Sequence, residues 1–183
     1  MAVDRVEQLL RLVTEALENA GIEYAVIGGN AVAAWVSKVD DGATRATKDV
    51  DILLRREDLT RVTDVLRSTG LIPIEVLGVH MFVDQQNPSP KTGAHVVIAG
   101  ERIRAEYRHP APDPRESEIC DAGFRLLNLA PLVAMKLQAY RFIDRAHVQD
   151  LISVGLIDDD VRRALPPDLR ARLDEVSQSE PQS

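Results

Sequence analysis

The sequence predicts an α/β (α+β) domain, a mixed β-sheet flanked by helices, with a helical C-terminal third. Three observations lead there. An amphipathic helix runs into a short apolar strand that stops at a glycine pair, a second apolar strand opens on two aspartates, and helical periodicity takes over after a proline-rich connection. The 183 residues, 45% of them apolar, are enough for one well-buried domain with a small helical appendage and too few for two full domains.

Val6, Leu9, Leu10, Val13, Leu17 and Ala20 recur at helical spacing over residues 3–20, and Gly21 follows as a stop. Residues 23–27 form a short strand, Gly28-Gly29-Asn30 a tight turn, and residues 31–36 favour a helix. A polar stretch over 37–48 leads to a buried strand at 49–54, after which Asp58 is placed to cap a helix ending near Gly70. Residues 72–83 and 94–98 are further strand candidates separated by the turn-rich segment 87–93, and 101–107 is one more. The prolines of 110–117 exclude regular structure and mark the organisation: a core over 1–112, a helical subdomain packed on it over 113–176, and a polar, disordered tail over 177–183. Helices are expected at 130–144, 146–154, from 159 or 160 to 165, and at 168–176.

Charge and cysteine content exclude several classes. With 22 basic against 29 acidic residues, a net charge of −7, the chain is unsuited to coating duplex DNA or an anionic membrane. Its single cysteine, Cys120, allows no internal disulfide and no thiolate zinc cluster, which suits a reducing cytoplasm. No apolar run approaches the roughly 18 residues of a bilayer span, and residues 1–11 lack the basic-then-apolar order of a secretory signal, so a cytoplasmic location is expected.

The chemistry centres on two motifs. Side chains at i and i+2 of a strand share a face, so Asp49 and Asp51 present two carboxylates about 7 Å apart at the backbone. Hard cations such as Mg²⁺ take one or two carboxylates plus phosphate oxygens of a substrate, which such a pair can supply. Two unpaired carboxylates at the mouth of an apolar strand are otherwise costly. Gly28 and Gly29, between a strand and a helix, let backbone N–H groups and the positive helix end approach a phosphate, with Asn30 as a further donor. The glycines lack Gly-X-Gly-X-X-Gly spacing and no Gly-Lys-Ser/Thr follows, which excludes dinucleotide-binding and P-loop sites.

In their order, strand, Gly-Gly, helix, polar linker and strand with Asp-X-Asp, these features resemble the nucleotidyltransferase superfamily. The closer resemblance is to its AbiEii-like and minimal branches, through residues 24–33 and 45–54, and it covers about residues 3–155. It implies a nucleotidyltransferase-type fold that moves a nucleoside monophosphate from an NTP to an RNA, protein or small-molecule acceptor. Asp49 and Asp51 would hold Mg²⁺ (or Mn²⁺), and Gly28, Gly29 and Asn30 the triphosphate. A toxin-like role beside an antitoxin partner is within its scope. Residues 135–141 and 144–151 resemble the branch's helical motif, which implies that Lys136 contacts the nucleotide phosphates and that Asp150 orients Lys136 or an arginine. Taken by itself, Lys136 lies in an apolar run, where an ammonium needs a partner or an anion unless it snorkels to a solvated rim.

The resemblance also implies a third carboxylate on a later strand. The matching strand, 94–98, carries His95 there. An imidazole can accept a proton near neutral pH but is a poor ligand for Mg²⁺. Glu101, Glu106 and Asp84 are alternative acids, and His80, His95, His109 and His147 show no metal-ligand spacing among themselves. Three readings stay open: an active transferase in which His95 is catalytic with Asp49 and Asp51, a degenerate relative that binds nucleotide or a partner without turnover, or a protein whose acids are structural and which binds an unrelated ligand. Arg102, Arg104 and Arg108 either meet an acceptor or cover a solvated strand face.

Overall fold

All four residues of β1 (Tyr24–Ile27) are buried, as an apolar run without polar alternation requires. In the computed structural model, which describes residues 2–179, β1 lies inside a seven-stranded mixed sheet. The other strands are β2 (Val50–Leu54), β3 (Leu71–Val76), β4 (Val79–Asp84), β5 (Ala94–Ile98), β6 (Ser117–Ile119) and β7 (Arg125–Leu127). Their order is β3-β4-β5-β2-β1-β7-β6, with β2/β5 and β1/β7 parallel and the other neighbours antiparallel. The helices are α1 (Ala2–Asn19), α2 (Gly28–Ser37), α3 (Leu59–Ser68), α4 (Leu129–Ala139), α5 (Phe142–Ser153), α6 (Asp159–Ala164) and α7 (Pro167–Gln178). The α/β class with a helical last third is therefore what forms.

Leu10, Val13 and Leu17 of α1 are buried, on the stripe that the helical spacing marks out, and α1 packs on α3, β2 and β5. Helix α2 lies on β1, β2 and β7 and in turn meets α4 and α5, so the C-terminal helices reach the sheet through it. No helix among the described residues is long and apolar enough to cross a membrane.

The structure corrects the sequence reading in five places. Residues 72–83 are not one strand: Leu77 and Gly78, at φ 52° and 79°, make a two-residue turn between β3 and β4, with Val76 and Val79 paired across it. A leucine at positive φ gives no turn signal. Residues 101–107 form no strand; 101–106 are all exposed, with no apolar alternation to bury, and the excursion is closed at its base by Gly100 N–H donating to Ala111 O and Ala111 N–H to Glu101 O, at 2.9 and 2.8 Å. Residues 113–128, placed with the helical subdomain, instead complete the sheet as β6 and β7. The continuous helix at 130–144 breaks at Tyr140, φ 51°, whose hydroxyl donates to Glu175 while the guanidinium of Arg172 lies over its ring. Finally, Ser177 and Gln178 belong to α7 rather than to a tail, and Ser177 Oγ donates to Leu173 O; residues 180–183 lie outside the described residues.

β7 is anchored from two sides, by Trp35 Nε1 donating to Leu127 O at 2.9 Å and by the Arg125 N–H donating to the buried Tyr24 hydroxyl at 3.2 Å. Leu126 pairs with Val26 and is fully buried. Truncating it to alanine should therefore cost about 2–5 kcal/mol, the range for a buried leucine that leaves a cavity. Urea unfolding should show this as one transition moved to a lower midpoint. An unchanged midpoint would mean that β7 is peripheral.

Candidate active site

Three strand ends converge. In the sheet register Asp51 of β2 pairs with Ile27, the last residue of β1, on one side and with His95 of β5 on the other. The residue after Ile27 is Gly28, which opens α2 at φ 71°. A Cβ on Gly28 would lie 2.8 Å from Asp51 Cγ and closer still to Oδ2, so the Asp51 carboxylate occupies the space that this glycine leaves. A Cβ on Gly29 would likewise meet Thr47 Oγ1 at 2.9 Å. Gly28, Gly29 and Asn30 are thus the first turn of α2 rather than a loop before it. Ile27 caps the helix without a side-chain hydrogen bond, which leaves no side-chain acceptor from the cap on the free N–H groups of that turn.

Asn30 is occupied differently from the sequence expectation. Its Nδ2 donates to Asp49 O at 2.7 Å, and Thr47 Oγ1 donates to the same carbonyl at 3.2 Å. Both side chains fix the backbone one residue before β2, where the Asp49 side chain is exposed. His95 Nδ1 lies 3.4 Å from Asp51 Oδ1. The hydrogen bond to Asp51 raises the His95 pKa against the opposing effect of burial, and the charges of Asp51 and Asp49 add to the rise. Both carboxylates therefore act on one imidazole.

From Gly28 and Asp51 opens a cleft of about 400 Å³ that His95, Lys136, Arg141 and Asp144 also line. Lys136 is only 7% exposed, and its Nζ donates to Asp144 Oδ1 at 3.1 Å; Arg141 Nε donates to Oδ2 of the same carboxylate at 2.6 Å. Burial pushes the Asp144 pKa up, but Arg141 and Lys136 outweigh it and hold the group below the ordinary carboxylate range. One buried carboxylate between two cations leaves a positive surplus facing the cleft. Asp144 comes within reach only because the chain breaks at Tyr140. In an unbroken helix it would lie eight residues, about 12 Å, along the axis from Lys136.

Asp150 does not touch Lys136. It binds Arg45 in a fork, Nε to Oδ2 at 2.6 Å and Nη2 to Oδ1 at 3.0 Å, and so ties the linker before Asp49 to α5. Asp150, Asp49, Gly29 and Asn30 are not among the side chains that line the cleft. Of the alternative acids, Asp84 ends β4 in solvent and accepts from Gln86 N–H, and Glu106 faces the cleft-lining Arg104 at 3.9 Å; neither lines the cleft itself. Glu101 lines the cleft but is bound to Arg56. His95 is the group that adjoins Asp51. Among the described residues no three His, Cys, Asp or Glu side chains are gathered into a complete metal site. Asp51 in the cleft and the exposed Asp49 two residues before it are oxygen donors of the kind a hard cation takes together with substrate phosphates and water.

His147 carries no ligand pattern in the sequence. It is 8% exposed, packs beneath Gly29, and its Nδ1 has no hydrogen-bond partner among the described residues. Burial, helped by the charge of Lys136, lowers its pKa to about 4. Between pH 6.5 and 4 the unfolded chain then binds more protons at this residue than the folded one. The associated stability is complete above about pH 6.5 and is lost as the pH falls through 4, an effect of roughly 3 kcal/mol. In His147→Gln, the difference between urea midpoints at pH 7 and pH 4.5 should shrink accordingly. An unchanged difference would place the titration elsewhere.

A family model described as an uncharacterised nucleotidyltransferase matches residues 2–116, more than half of the chain. The chain belongs to this nucleotidyltransferase family. No curated protein sequence matches it significantly. Among solved structures, this nucleotidyltransferase resembles the antibiotic-resistance factor ANT(2″)-Ia in solution, with a TM-score of 0.60 and 16% identity over 96% of this chain and 94% of that one. ANT(2″)-Ia in complex with adenylyl-2″-tobramycin gives 0.55 and 17%, over 92% and 96%. An antigenic nucleotidyltransferase-like protein from Paracoccidioides brasiliensis gives 0.55 and 15%, over 95% and 94%. At these identities the likeness is one of fold. The family match includes β1 to β5 and hence Gly28, Asp49, Asp51 and His95, whereas Lys136 and Asp144 lie beyond it.

Proposed function

We propose that this nucleotidyltransferase moves a nucleoside monophosphate from an NTP to a hydroxyl of a small acceptor bound in the cleft. The observation that carries the reading is the Asp51 carboxylate seated against Gly28 at the start of α2, beside His95 and facing a cleft with surplus positive charge. The free N–H groups of α2 bind the triphosphate, and Lys136 and Arg141, braced by Asp144, bear its remaining charge. Asp49 and Asp51 would hold Mg²⁺ or Mn²⁺, which when bound neutralises phosphate charge and orients the reacting phosphoryl group. His95, with Nδ1 turned to Asp51, is the base placed to accept the proton of the attacking hydroxyl. A bond forms between that oxygen and the α-phosphorus, the bond from the α-phosphorus to the bridging oxygen breaks, and pyrophosphate leaves. A cleft of this size suits a small acceptor, and ANT(2″)-Ia, of like fold, has been captured with an adenylylated small molecule.

Incubation with α-labelled NTPs, Mg²⁺ or Mn²⁺ and pools of small molecules, RNA and protein tests the reading. Label should enter the small-molecule pool and vanish on chelation. The presence of His95 where a third acid is expected favours a second reading, a nucleotide-binding protein without turnover. Binding of Mg-NTP with no transfer to any pool would select it, and absence of binding would sink both.

A further inference from the structure

The cleft reverses the charge balance of the chain. Overall, acidic residues outnumber basic ones by 29 to 22. Five cations line the cleft, Lys136 and Arg141 from α4 and the start of α5 and Arg56, Arg102 and Arg104 from the segments that follow β2 and β5, against three carboxylates. Asp144 is taken by the first pair, Glu101 by Arg56, and Asp51 faces His95. Arg102 has no ion pair or side-chain hydrogen bond among the described residues, and Arg104 has only Glu106 at 3.9 Å. Both arginines stand on the excursion 101–110, whose base is fixed by the backbone bonds at Gly100 and Ala111. The neighbouring lining is apolar or aromatic: Val79, Ile103 and Tyr107.

Lys136 and Arg141 with the α2 terminus already provide for one polyphosphate. A second pair of guanidiniums in the same cleft, Arg102 without a partner among the described residues and Arg104 with only a long contact to Glu106, offers a place for a second anion. A site for a polycationic acceptor would instead leave carboxylates free. We propose that the acceptor is a small phosphate ester with a free hydroxyl, its phosphate held by Arg102 and Arg104 and its body resting on Val79, Ile103 and Tyr107. This rests on the transferase reading and names its second substrate by class.

The test is calorimetric titration of the intact chain, saturated with Mg²⁺ and the α,β-methylene analogue of ATP, which cannot release pyrophosphate. The titrants are ribose 5-phosphate, glycerol 3-phosphate, the unphosphorylated ribose and glycerol, tobramycin, and a short RNA with a free 3′ hydroxyl. At least one ester should bind tenfold or more tightly than its unphosphorylated counterpart and than tobramycin. The double variant Arg102→Ala/Arg104→Ala should lose that tenfold while its affinity for the ATP analogue changes less than twofold. Equal binding of ester and parent alcohol, or tighter binding of tobramycin or of the RNA, would overturn the assignment. So would an equal loss of affinity for the ATP analogue, since the arginines would then serve the NTP. If the unaltered chain binds the α,β-methylene analogue of none of the four NTPs, the transferase reading fails; the ester titration, repeated without nucleotide, still decides whether the arginines hold a phosphate.

Discussion

Replacing Gly28 by alanine should lower stability by about 2–6 kcal/mol and reduce nucleotidyl transfer at least a hundredfold. Two costs add. At φ 71° a residue with a Cβ is strained by about 1–3 kcal/mol, and the new methyl overlaps Asp51 Oδ2 and Cγ, an overpacking penalty of similar size. The overlap can be relieved only by moving the carboxylate or the first turn of α2, and these are the two groups that the proposed reaction must keep in register. A displacement near 1 Å is enough for a loss of about 10²-fold. Thermal unfolding and initial rates on one preparation check both parts. Gly29→Ala is a milder comparison, because Thr47 Oγ1 belongs to a side chain that can rotate. Equal stability and activity in Gly28→Ala would mean that Asp51 does not sit against the turn.

Asp51→Asn approaches the same contact from the other side. The amide has the volume of the carboxylate, so the seat against Gly28 is kept and the fold should persist. The negative charge is lost, and with it the anionic ligand of a divalent cation and the charge that draws His95 Nδ1–H, although the amide oxygen can still accept that hydrogen bond. Removing several kcal/mol of transition-state charge stabilisation corresponds to a drop of about a thousandfold in the rate. Circular dichroism should match the parent, while label transfer should fall to background. Transfer within tenfold of the parent would remove Asp51 from the chemistry.

The half of the site carried by the strands was legible in the sequence because local chemistry writes it there. Tyr24 to Ile27 is an unbroken apolar run ended by two glycines, and Asp51 interrupts a second such run, so β1, the start of α2 and β2 could be placed before any contact was known. His95 could be set beside Asp51 only through the resemblance, which implies a third acid at the position it holds in its strand. What stayed hidden depends on chain reversals or on partners far apart in sequence. The break at Tyr140 puts a tyrosine in the left-handed region, held by Glu175 and Arg172 of α7, and without it Asp144 cannot be seen to serve Lys136. Arg45 and Asp150 are 105 residues apart, and no local pattern pairs them. β6 and β7 are three residues each, too short for alternation to show, and their place is fixed by Trp35 and Tyr24.

The central claim is that a nucleoside triphosphate and a divalent cation bind together at Asp51 and the first turn of α2. Calorimetric titration of the unaltered chain and of Asp51→Asn with each of the four NTPs, in Mg²⁺ and again in chelator, measures this directly. At least one NTP should bind the unaltered chain in Mg²⁺, with affinity falling tenfold or more in chelator and likewise in the variant. Binding of equal strength in all three conditions, or none in the first, would contradict it.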